Sequence, residues 1–332
     1  MKSNIFIIGS NSFSGSSFID YLLSKNLFVI GISRSGENKN DYLKYKKNKN
    51  IKNFKFYKAD INKNFNLIIK LLNKYKPSII INYSSQGMVN ESWNSPIDWY
   101  ITNFLSTVKI VNYLINKKYL KKFINFTTPE VYGDNKKKLS EETSFNPSTP
   151  YALSRASADT HMKLMNKYKR FPVIFTRAAN VYGPHQQLYR IIPKAIMMLK
   201  KKNKIPIDGN GLTYRSFIHI NDVNSALYKI LKFGKVGKTY HISTNDFISI
   251  IDLIKKIIKI INKTSNFDKY FFYKKDRLGK DEFYKLSSKK IIKELKWKSK
   301  ITINEGIKDV ASWIETNYKS LIKDKLVYKH KK

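Results

Sequence analysis

Residues 4–15, Asn-Ile-Phe-Ile-Ile-Gly-Ser-Asn-Ser-Phe-Ser-Gly, decide the fold of this chain. The apolar run ends at Gly9, and a helical pattern begins near Ser14. A short unbroken apolar run is typical of a strand that is buried on both faces of a parallel sheet. A glycine turn between such a strand and a helix directs the helix amides towards a phosphate group. The stretch therefore predicts a strand, a phosphate-binding turn and a helix.

The same alternation continues along the chain. Further short strands are predicted at residues 27–32, 54–57, 79–83, 123–127 and 173–177, with helical stretches such as 65–74 and 102–117 between them. Strands that alternate with helices form a doubly wound parallel sheet with right-handed crossovers. The predicted fold class is therefore α/β, a Rossmann fold with a smaller C-terminal substrate-binding α/β domain.

The alternation loosens after residue 177, where loops containing glycine follow. We predict that residues 1–180 form the dinucleotide-binding domain and are rejoined by residues 216–244. Residues 181–215 and 245–332 are expected to form the substrate-binding domain.

Two strand-like pieces, 216–220 and 239–243, flank a predicted helix at 222–233. Both pieces are candidates to return to the large sheet. A later segment, 251–262, has apolar residues at helical spacing, which predicts a helix that faces the core.

The net charge is strongly positive. The formal value is +39, and the basic residues comprise 56 Lys and 7 Arg. Such a charge raises the question of nucleic-acid binding. However, the lysines are spread over every predicted surface element and no nucleic-acid motif accompanies them, so we expect a solvated lysine surface and no nucleic-acid partner. Because Lys is the default cation here, each Arg marks a position where a planar, forked donor has a use.

The chain has no Cys and five His, and the His residues do not cluster at metal-ligand spacing. Disulfides and thiolate metal sites are therefore excluded, and no metal is expected. The first apolar run is too short for a signal peptide, and no apolar stretch reaches membrane-spanning length. We expect a cytoplasmic protein that does not bind a membrane.

The glycine turn departs from the usual dinucleotide pattern at one position. Gly9 permits the tight turn and Gly15 permits close helix packing, but Ser12 stands where a middle glycine usually admits the phosphate. At the end of the second strand, the acidic residue that would bind a ribose 2′-hydroxyl is missing, and Ser33-Arg34 stands there. Because Arg suits a 2′-phosphate, NADP is favoured over NAD.

An ordered set of motifs spans nearly the whole chain. It comprises the glycine turn, Thr-Thr-Pro-Glu-Val-Tyr-Gly at 127–133, Tyr-Ala-Leu-Ser-Arg at 151–155, Arg-Ala-Ala-Asn-Val-Tyr-Gly-Pro at 177–184, Arg-Ser-Phe-Ile-His at 215–219 and Asp-Arg-Leu-Gly-Lys-Asp at 276–281. With these motifs the chain resembles the extended short-chain dehydrogenase/reductase family, in its NAD(P)-dependent nucleotide-sugar epimerase and dehydratase branch. It is most similar to sugar-nucleotide 4,6-dehydratases of the dTDP-glucose and GDP-mannose types.

The resemblance implies a catalytic role for four side chains. Tyr151 is the base that takes the proton of a sugar hydroxyl, and a cation four residues later lowers its pKa. That cation is Arg155, where the family has Lys. Thr128 assists at the same oxygen, and Glu130 removes the C5 proton so that water leaves from C6. Since Pro129 replaces the acid of the dTDP-glucose type, either Glu130 acts as both base and acid or another group protonates the leaving hydroxyl.

The other predicted site residues bind the two ligands. The expected cofactor contacts are Gly9, Ser12, Phe13, Gly15, Ser33, Arg34, Asp60, Ile61, Ser84, Ser85, Tyr151 and Arg155. The expected substrate contacts are Gln86, Thr128, Asn180, Arg190, Arg215 and Arg277. Arg215 and Arg277 are preferred for the pyrophosphate. Asn103 matches the family's helix-orienting Asn, Arg177 either faces the substrate or braces the sheet, and Asp60 has a plain helix cap as its alternative role.

Together these residues predict a nucleotide-sugar 4,6-dehydratase that oxidises C4, eliminates water across C5 and C6, and returns hydride to C6. NADP or NAD is expected to stay tightly bound, because the cycle is redox-neutral. A nucleotide-sugar 4-epimerase and a uronic-acid decarboxylase are the alternatives within the family, and a nonenzymatic dinucleotide- or RNA-binding protein is a distant one. The resemblance also implies a homodimer, formed through the helices that carry Asn103 and Tyr151. The sequence does not identify the base or the hexose.

Overall fold

A parallel sheet lies at the centre of the computed structural model, which describes residues 4–37, 39–276, 279 and 281–330. The strands are β1 (Ile5–Ile8), β2 (Val29–Ser33), β3 (Phe54–Lys58), β4 (Ile79–Asn82), β5 (Lys122–Thr127), β6 (Lys138–Leu139), β7 (Val173–Ala178), β8 (Asn180–Tyr182), β9 (Ile205–Asp208), β10 (Tyr214–Arg215), β11 (Phe217–His219), β12 (Thr239–Ile242), β13 (Ile248–Ser249), β14 (Phe271–Lys274) and β15 (Lys285–Leu286). The sheet has seven strands in the order β3-β2-β1-β4-β5-β7-β12, and all of its pairs are parallel. The doubly wound α/β fold predicted from the sequence is confirmed.

Helices cover the sheet and build the C-terminal part. They are α1 (Phe13–Ser24), α2 (Phe65–Tyr75), α3 (Glu91–Asn94), α4 (Pro96–Trp99), α5 (Ser106–Leu114), α6 (Pro150–Lys169), α7 (Ile191–Lys200), α8 (Ile220–Phe233), α9 (Ile250–Asn262), α10 (Lys289–Leu295), α11 (Ile303–Thr316) and α12 (Tyr318–Leu321). A π-helix, Tyr100–Leu105, joins α4 to α5.

The first strand shows why helices are needed on both faces of the sheet. Ile5 and Ile7 pack in one core with α1 and α8, whereas Phe6 and Ile8 pack in another with α2, α5 and α6. Successive side chains of a strand point to opposite faces. A strand that is apolar at every position is therefore stable only when both faces are covered.

A separate core lies in the C-terminal half, between α7, α9 and α11. The segment predicted to be a core-facing helix forms α9, and its Ile254, Ile257 and Ile258 are buried in this core. Their spacing of three or four residues places them on one face of the helix. This prediction is confirmed.

The two strand-like pieces around α8 go to different places. β12 pairs with β7 at the edge of the central sheet. β11 instead pairs with β8, outside that sheet. The expectation that residues 216–220 return to the sheet is therefore wrong, because β8 starts only one residue after β7 has left it and recruits β11 as its own partner.

The longest helix of the described residues, α6, spans 20 residues and carries both Tyr151 and Arg155 near its N-terminus. It packs against the π-helix and α5. In the described ranges, no helix combines the length and the apolar composition needed to cross a lipid bilayer.

Candidate active site

A cavity of about 200 Å³ opens at the carboxyl ends of β1 to β4. This edge is where open α/β sheets bind their ligands. Nine of the predicted site residues line the cavity, namely Gly9, Ser12, Ser33, Arg34, Asp60, Ile61, Ser84, Ser85 and Gln86. Phe13 and Gly15 are buried in the first turn of α1, behind the cavity.

The glycine turn has the backbone that its sequence predicts. Gly9 has φ +84°, and a Cβ there would lie 2.8 Å from the amide nitrogen of Ser84. A Cβ at Gly15 would collide with the Gly9 carbonyl. The Ser12 hydroxyl donates to the Gly9 carbonyl at 2.8 Å and accepts from the Gly15 amide at 3.1 Å. Ser12 therefore caps α1 and closes the turn, which leaves room above it for a phosphate.

The ends of β2 and β3 form the wall that would face the adenosine. Ser33 and Arg34 line the cavity at β2. Asp60 lines it at β3, and its carboxylate accepts the amide of Asn62 at 2.8 Å. Asp60 therefore holds a local turn while also facing the cavity, whereas the helix cap given as its alternative role lies at Asn64.

Thr128, Glu130 and Tyr151 converge at the end of β5. The Thr128 hydroxyl donates to the Glu130 carboxylate and caps a 3-10 turn at Pro129–Tyr132. Thr128 is also a hydrogen-bonding neighbour of Tyr151, and the Glu130 charge acts on the same phenol. The carboxylate therefore faces the tyrosine, as dehydration requires.

The pKa values of these two groups are both raised. Burial raises the pKa of Glu130, and the hydrogen bond from Thr128 and the Arg215 charge oppose that rise. Burial raises the pKa of Tyr151 to about 12, the Glu130 carboxylate adds to this, and Arg155 opposes it. Arg155 lowers the pKa of Tyr151, as expected, but burial raises it by more, so the net shift is upwards.

Arg155 is nearly fully buried, with 3% of its surface exposed. Its guanidinium donates to the Phe126 carbonyl and, at 3.4 Å, to the Ser84 carbonyl. Its Nε has no hydrogen-bond partner among the described residues. Arg155 thus ties α6 to the ends of β4 and β5, directly under the cavity, and its contact with a cofactor ribose stays a prediction.

Arg177 braces the sheet. It is fully buried, and its guanidinium lies 2.7 Å from the carboxylate of Asp159 on α6. A second donor of the same guanidinium reaches the Tyr132 hydroxyl at 3.3 Å, and the Asn125 amide donates to Asp159 at 2.9 Å. Of its two predicted roles, the structure supports the bracing one.

The predicted substrate arginines differ in how firmly they are held. Arg215 donates to the carbonyls of Tyr214, Asp281 and Glu282 at 2.5–3.0 Å. Arg190 precedes α7, and its positive charge lowers the pKa of both Glu130 and Tyr151. The charges of both arginines therefore act on Glu130, and Arg215 is in addition fixed by the main chain. Arg277 lies outside the described residues.

Asn103 holds the loop after β4. Its side chain accepts from the Gln86 amide at 2.8 Å, and it donates to the Gln86 carbonyl and to the Ser154 hydroxyl. A π-helix residue is thus joined to both the cavity loop and α6, in agreement with the predicted orienting role.

Tyr284 is a site residue that the sequence did not reveal. It is buried, its hydroxyl donates to Asn180 at 2.8 Å, and the Arg215 guanidinium lies 4.2 Å from its ring centre. It also packs with Val131 of the catalytic turn. The only signal was its place shortly after the Asp-Arg-Leu-Gly-Lys-Asp motif.

Among the described residues, no group of three or more side chains is arranged to hold a metal ion.

A family profile described as GDP-mannose 4,6 dehydratase matches residues 6–310. Among curated proteins, human dTDP-D-glucose 4,6-dehydratase is 34% identical over 274 residues, which covers 81% of this chain and 77% of the human protein.

Solved structures give the same result. A dTDP-glucose 4,6-dehydratase from Bacillus anthracis in complex with NAD superposes with a TM-score of 0.86 at 29% identity, covering 96% of this chain and 98% of that one. A UDP-glucose 4-epimerase from Thermotoga maritima with UDP-glucose has a TM-score of 0.85 at 23% identity, covering 95% and 99%. The second likeness shows the shared fold alone.

Proposed function

The chain belongs to the GDP-mannose 4,6-dehydratase family, and from that premise we propose that it is a nucleotide-sugar 4,6-dehydratase that works through Thr128, Glu130 and Tyr151. One observation carries the proposal. The Glu130 carboxylate and the Tyr151 phenol meet at the Thr128 hydroxyl, at the carboxyl end of β5. A 4-epimerase needs no carboxylate at this place, whereas a dehydratase needs one to remove the C5 proton.

Tyr151, as its phenolate, takes the proton of the C4 hydroxyl, and the Arg155 charge favours that phenolate by opposing the effect of burial on its pKa. Thr128 holds the same sugar oxygen. A nicotinamide dinucleotide held by the glycine turn and the cavity lining would supply the hydride acceptor for C4 and the hydride donor for C6. As C6 is reduced, C5 regains a proton, which balances the proton that Tyr151 took from the C4 hydroxyl. Glu130 takes the C5 proton, which the new C4 ketone has made acidic. A carboxyl with a raised pKa is a stronger base when it is ionised, and it stays protonated up to a higher pH. The first property suits removal of the C5 proton, and the second suits donation of a proton to the leaving hydroxyl.

Glu130 also supplies the acid. Pro129 occupies the place of a separate proton donor and has no proton to give. Once Glu130 has received the C5 proton, it gives that proton to the C6 hydroxyl, which leaves as water. One carboxyl thus removes and returns one proton, and the elimination is balanced without a second acid.

The substrate is a dTDP-hexose, with dTDP-glucose as the first compound to test, because the human relative and the Bacillus anthracis structure both carry that name. Arg190 and Arg215 supply the positive charge for its diphosphate. Both arginines lie in the substrate-binding domain predicted from the sequence, which comprises residues 181–215 and 245–332. The remaining residues are predicted to bind the cofactor.

The cofactor is a nicotinamide dinucleotide, and we propose that NADP binds more tightly than NAD. The Bacillus anthracis relative is in complex with NAD. In this chain, however, Ser33 and Arg34 line the cavity at the end of β2, where a carboxylate would select a free 2′-hydroxyl. Replacing Arg34 with Ala should weaken NADP binding and leave NAD binding nearly unchanged.

We propose a homodimer that joins the π-helix and α6 of two copies. These neighbouring helices expose large apolar side chains. On α4 and the π-helix they are Ile97, Ile101 and Leu105, and on α6 they are Leu153, Leu164 and Tyr168. In a chain with a net charge of +39, an apolar face on two packed helices favours burial against a second copy.

The test is to incubate the protein with dTDP-glucose and to follow the product by mass spectrometry. The proposal expects a product that has lost one water and carries a 4-keto group. The Glu130→Gln variant should lose this activity by about a thousandfold, whereas Glu142→Gln, at an exposed position of the same segment, should keep it. A product of unchanged mass with an inverted C4 hydroxyl would instead identify an epimerase.

A further inference from the structure

The chain beyond α12 does not run off into solvent. Residues 322–330, which we call the C-terminal strap, lie beyond residue 310, where the family profile stops matching. Exposure alternates along its second part, so that one side of the segment packs on the protein. The partly buried residues are Asp324, Leu326, Tyr328 and His330.

The first attachment of the strap is to the segment that follows β2. The Asp324 carboxylate accepts from the Lys39 ammonium at 2.7 Å and from the Tyr42 hydroxyl at 2.7 Å. This segment begins directly after β2 with Arg34, which lines the cofactor cavity. The strap is therefore joined to the loop whose first residues line the cavity.

Two aromatic attachments follow. The Tyr328 ring meets the Tyr189 ring edge-on, with centres 5.3 Å apart. The His330 ring stacks on Trp99 at 4.9 Å, and its Nε2 lies 2.8 Å from the Asp98 carboxylate. The strap thus crosses from the loop after β2, past the start of α7, to α4.

These attachments surround the mouth of the cavity. Tyr189 precedes Arg190, whose guanidinium lies beside Gly87, the neighbour of the cavity residue Gln86. Trp99 stands one helical turn before Thr102, which also lines the cavity. A segment that is pinned at all three places runs along the rim of the cavity, next to residues that neighbour its lining.

Tyr328 is a strap residue on which the charges of cations from both predicted sites act. Burial raises the pKa of this phenol, and the charges of Arg34 and Arg190 lower it. These two cations belong to the predicted cofactor and substrate sites respectively. Tyr328 therefore stands between the two sites, with one cation from each acting on its hydroxyl.

We propose that the C-terminal strap is the outer wall of the dinucleotide site and that Tyr328 and His330 hold it closed over the bound cofactor. The proposal rests on the dinucleotide binding given under the proposed function. In a redox-neutral cycle the cofactor has no need to leave, so a wall that slows its release favours turnover. For the cofactor to leave, the ring contacts and the His330–Asp98 pair must open first.

The test measures the release of NADH, by its fluorescence, after addition of a large excess of NAD. Tyr328→Ala, His330→Ala and a chain ending at Lys323 should each release NADH about tenfold faster than the unaltered protein, because each removes aromatic or ionic contacts that hold the strap. Val327→Ala is the matched control, since Val327 is 72% exposed on the outer side of the strap. It should release NADH at the unaltered rate.

A cross-link tests the same idea in the opposite direction. The chain has no Cys, so Tyr189→Cys with Tyr328→Cys can be joined by a short bis-maleimide without side reactions. The joined protein should release NADH more slowly than the same variant before joining. If the unaltered protein binds neither NADH nor NADPH, the proposed function fails and the strap proposal falls with it. If it binds NADH and all variants release it at one rate, the strap proposal alone is overturned.

Discussion

The ionised carboxylate of Glu130, which the reaction needs, lowers the free energy of unfolding of the protein because it is buried. Its side chain is held near Tyr151 and Thr128 in surroundings that raise its pKa, mainly through burial. A carboxyl with a raised pKa binds its proton more tightly in the folded protein than in the unfolded chain. The free energy of unfolding therefore falls as pH rises from the ordinary Glu pKa to the folded-state pKa, and the loss persists at higher pH.

Glu130→Gln should consequently stabilise the protein while abolishing dehydration. Because Gln carries no charge to bury and still accepts from Thr128, we expect a gain on the order of 1 kcal/mol at pH 8. The gain should shrink on acidification, since a protonated Glu130 carries no charge penalty. Urea unfolding at pH 8 and at pH 5 measures both quantities, with Glu142→Gln as control. Equal stability of wild type and Glu130→Gln at pH 8 would contradict the argument.

At the scale of single elements, α6 depends on a buried ion pair. Asp159 on α6 and Arg177 on β7 are both fully buried and lie 2.7 Å apart. Asp159 is eight residues, about two turns, beyond Tyr151. The pair thus fixes the rotation and height of the helix that presents the catalytic phenol. It acts as a positioning device, because neither residue lines the cofactor cavity.

Breaking one half of this pair should cost more than removing both halves. Arg177→Met leaves a buried carboxylate without its cation, and we expect a loss of about 3–5 kcal/mol in the free energy of unfolding. Arg177→Met combined with Asp159→Asn removes the stranded charge and should recover part of that loss. Urea unfolding of Arg177→Met, of Asp159→Asn and of the double variant gives the coupling free energy between the two residues. Strictly additive losses would show that the pair does not hold α6.

The sequence predicts those features of an element that are set by residues close together in the chain. The turn at Gly9 and the apolar run of β1 are set by neighbouring residues, so the fold and the cofactor cavity were predictable. Arg155 and Arg177 find their partners on other strands and helices, at Phe126 and Asp159 respectively. A motif gives the position of such an Arg but not the direction of its guanidinium. The raised pKa of Tyr151 also depends on burial, which no residue pattern measures.

At the scale of the whole molecule, the contacts that are hardest to predict join residues that lie far apart in the sequence. His330 meets Trp99, and Asp324 meets Lys39, across more than two hundred residues of chain. The last residues contain abundant Lys and no apolar period, so they resemble a solvated tail. Only the tertiary fold brings the C-terminal strap against α4 and the loop after β2.

The assembly of two molecules is the remaining prediction at this scale. Ile97 on α4 is 68% exposed and Leu164 on α6 is 47% exposed, on helices that contact each other. In a dimer, the substitutions Ile97→Lys and Leu164→Lys would bury a charge without a partner on each subunit, in a protein that is already strongly positive. The double variant should therefore be a monomer at concentrations where the unaltered protein is a dimer.

Light scattering measures the mass of each form in solution. Phe233→Lys is the matched control, because Phe233 is 65% exposed at the end of α8, away from these helices. The control should keep the mass of a dimer, since its new charge stays in water. A monomeric mass for the unaltered protein would remove the proposed dimer. A dimeric mass for the double variant would move the interface to another face.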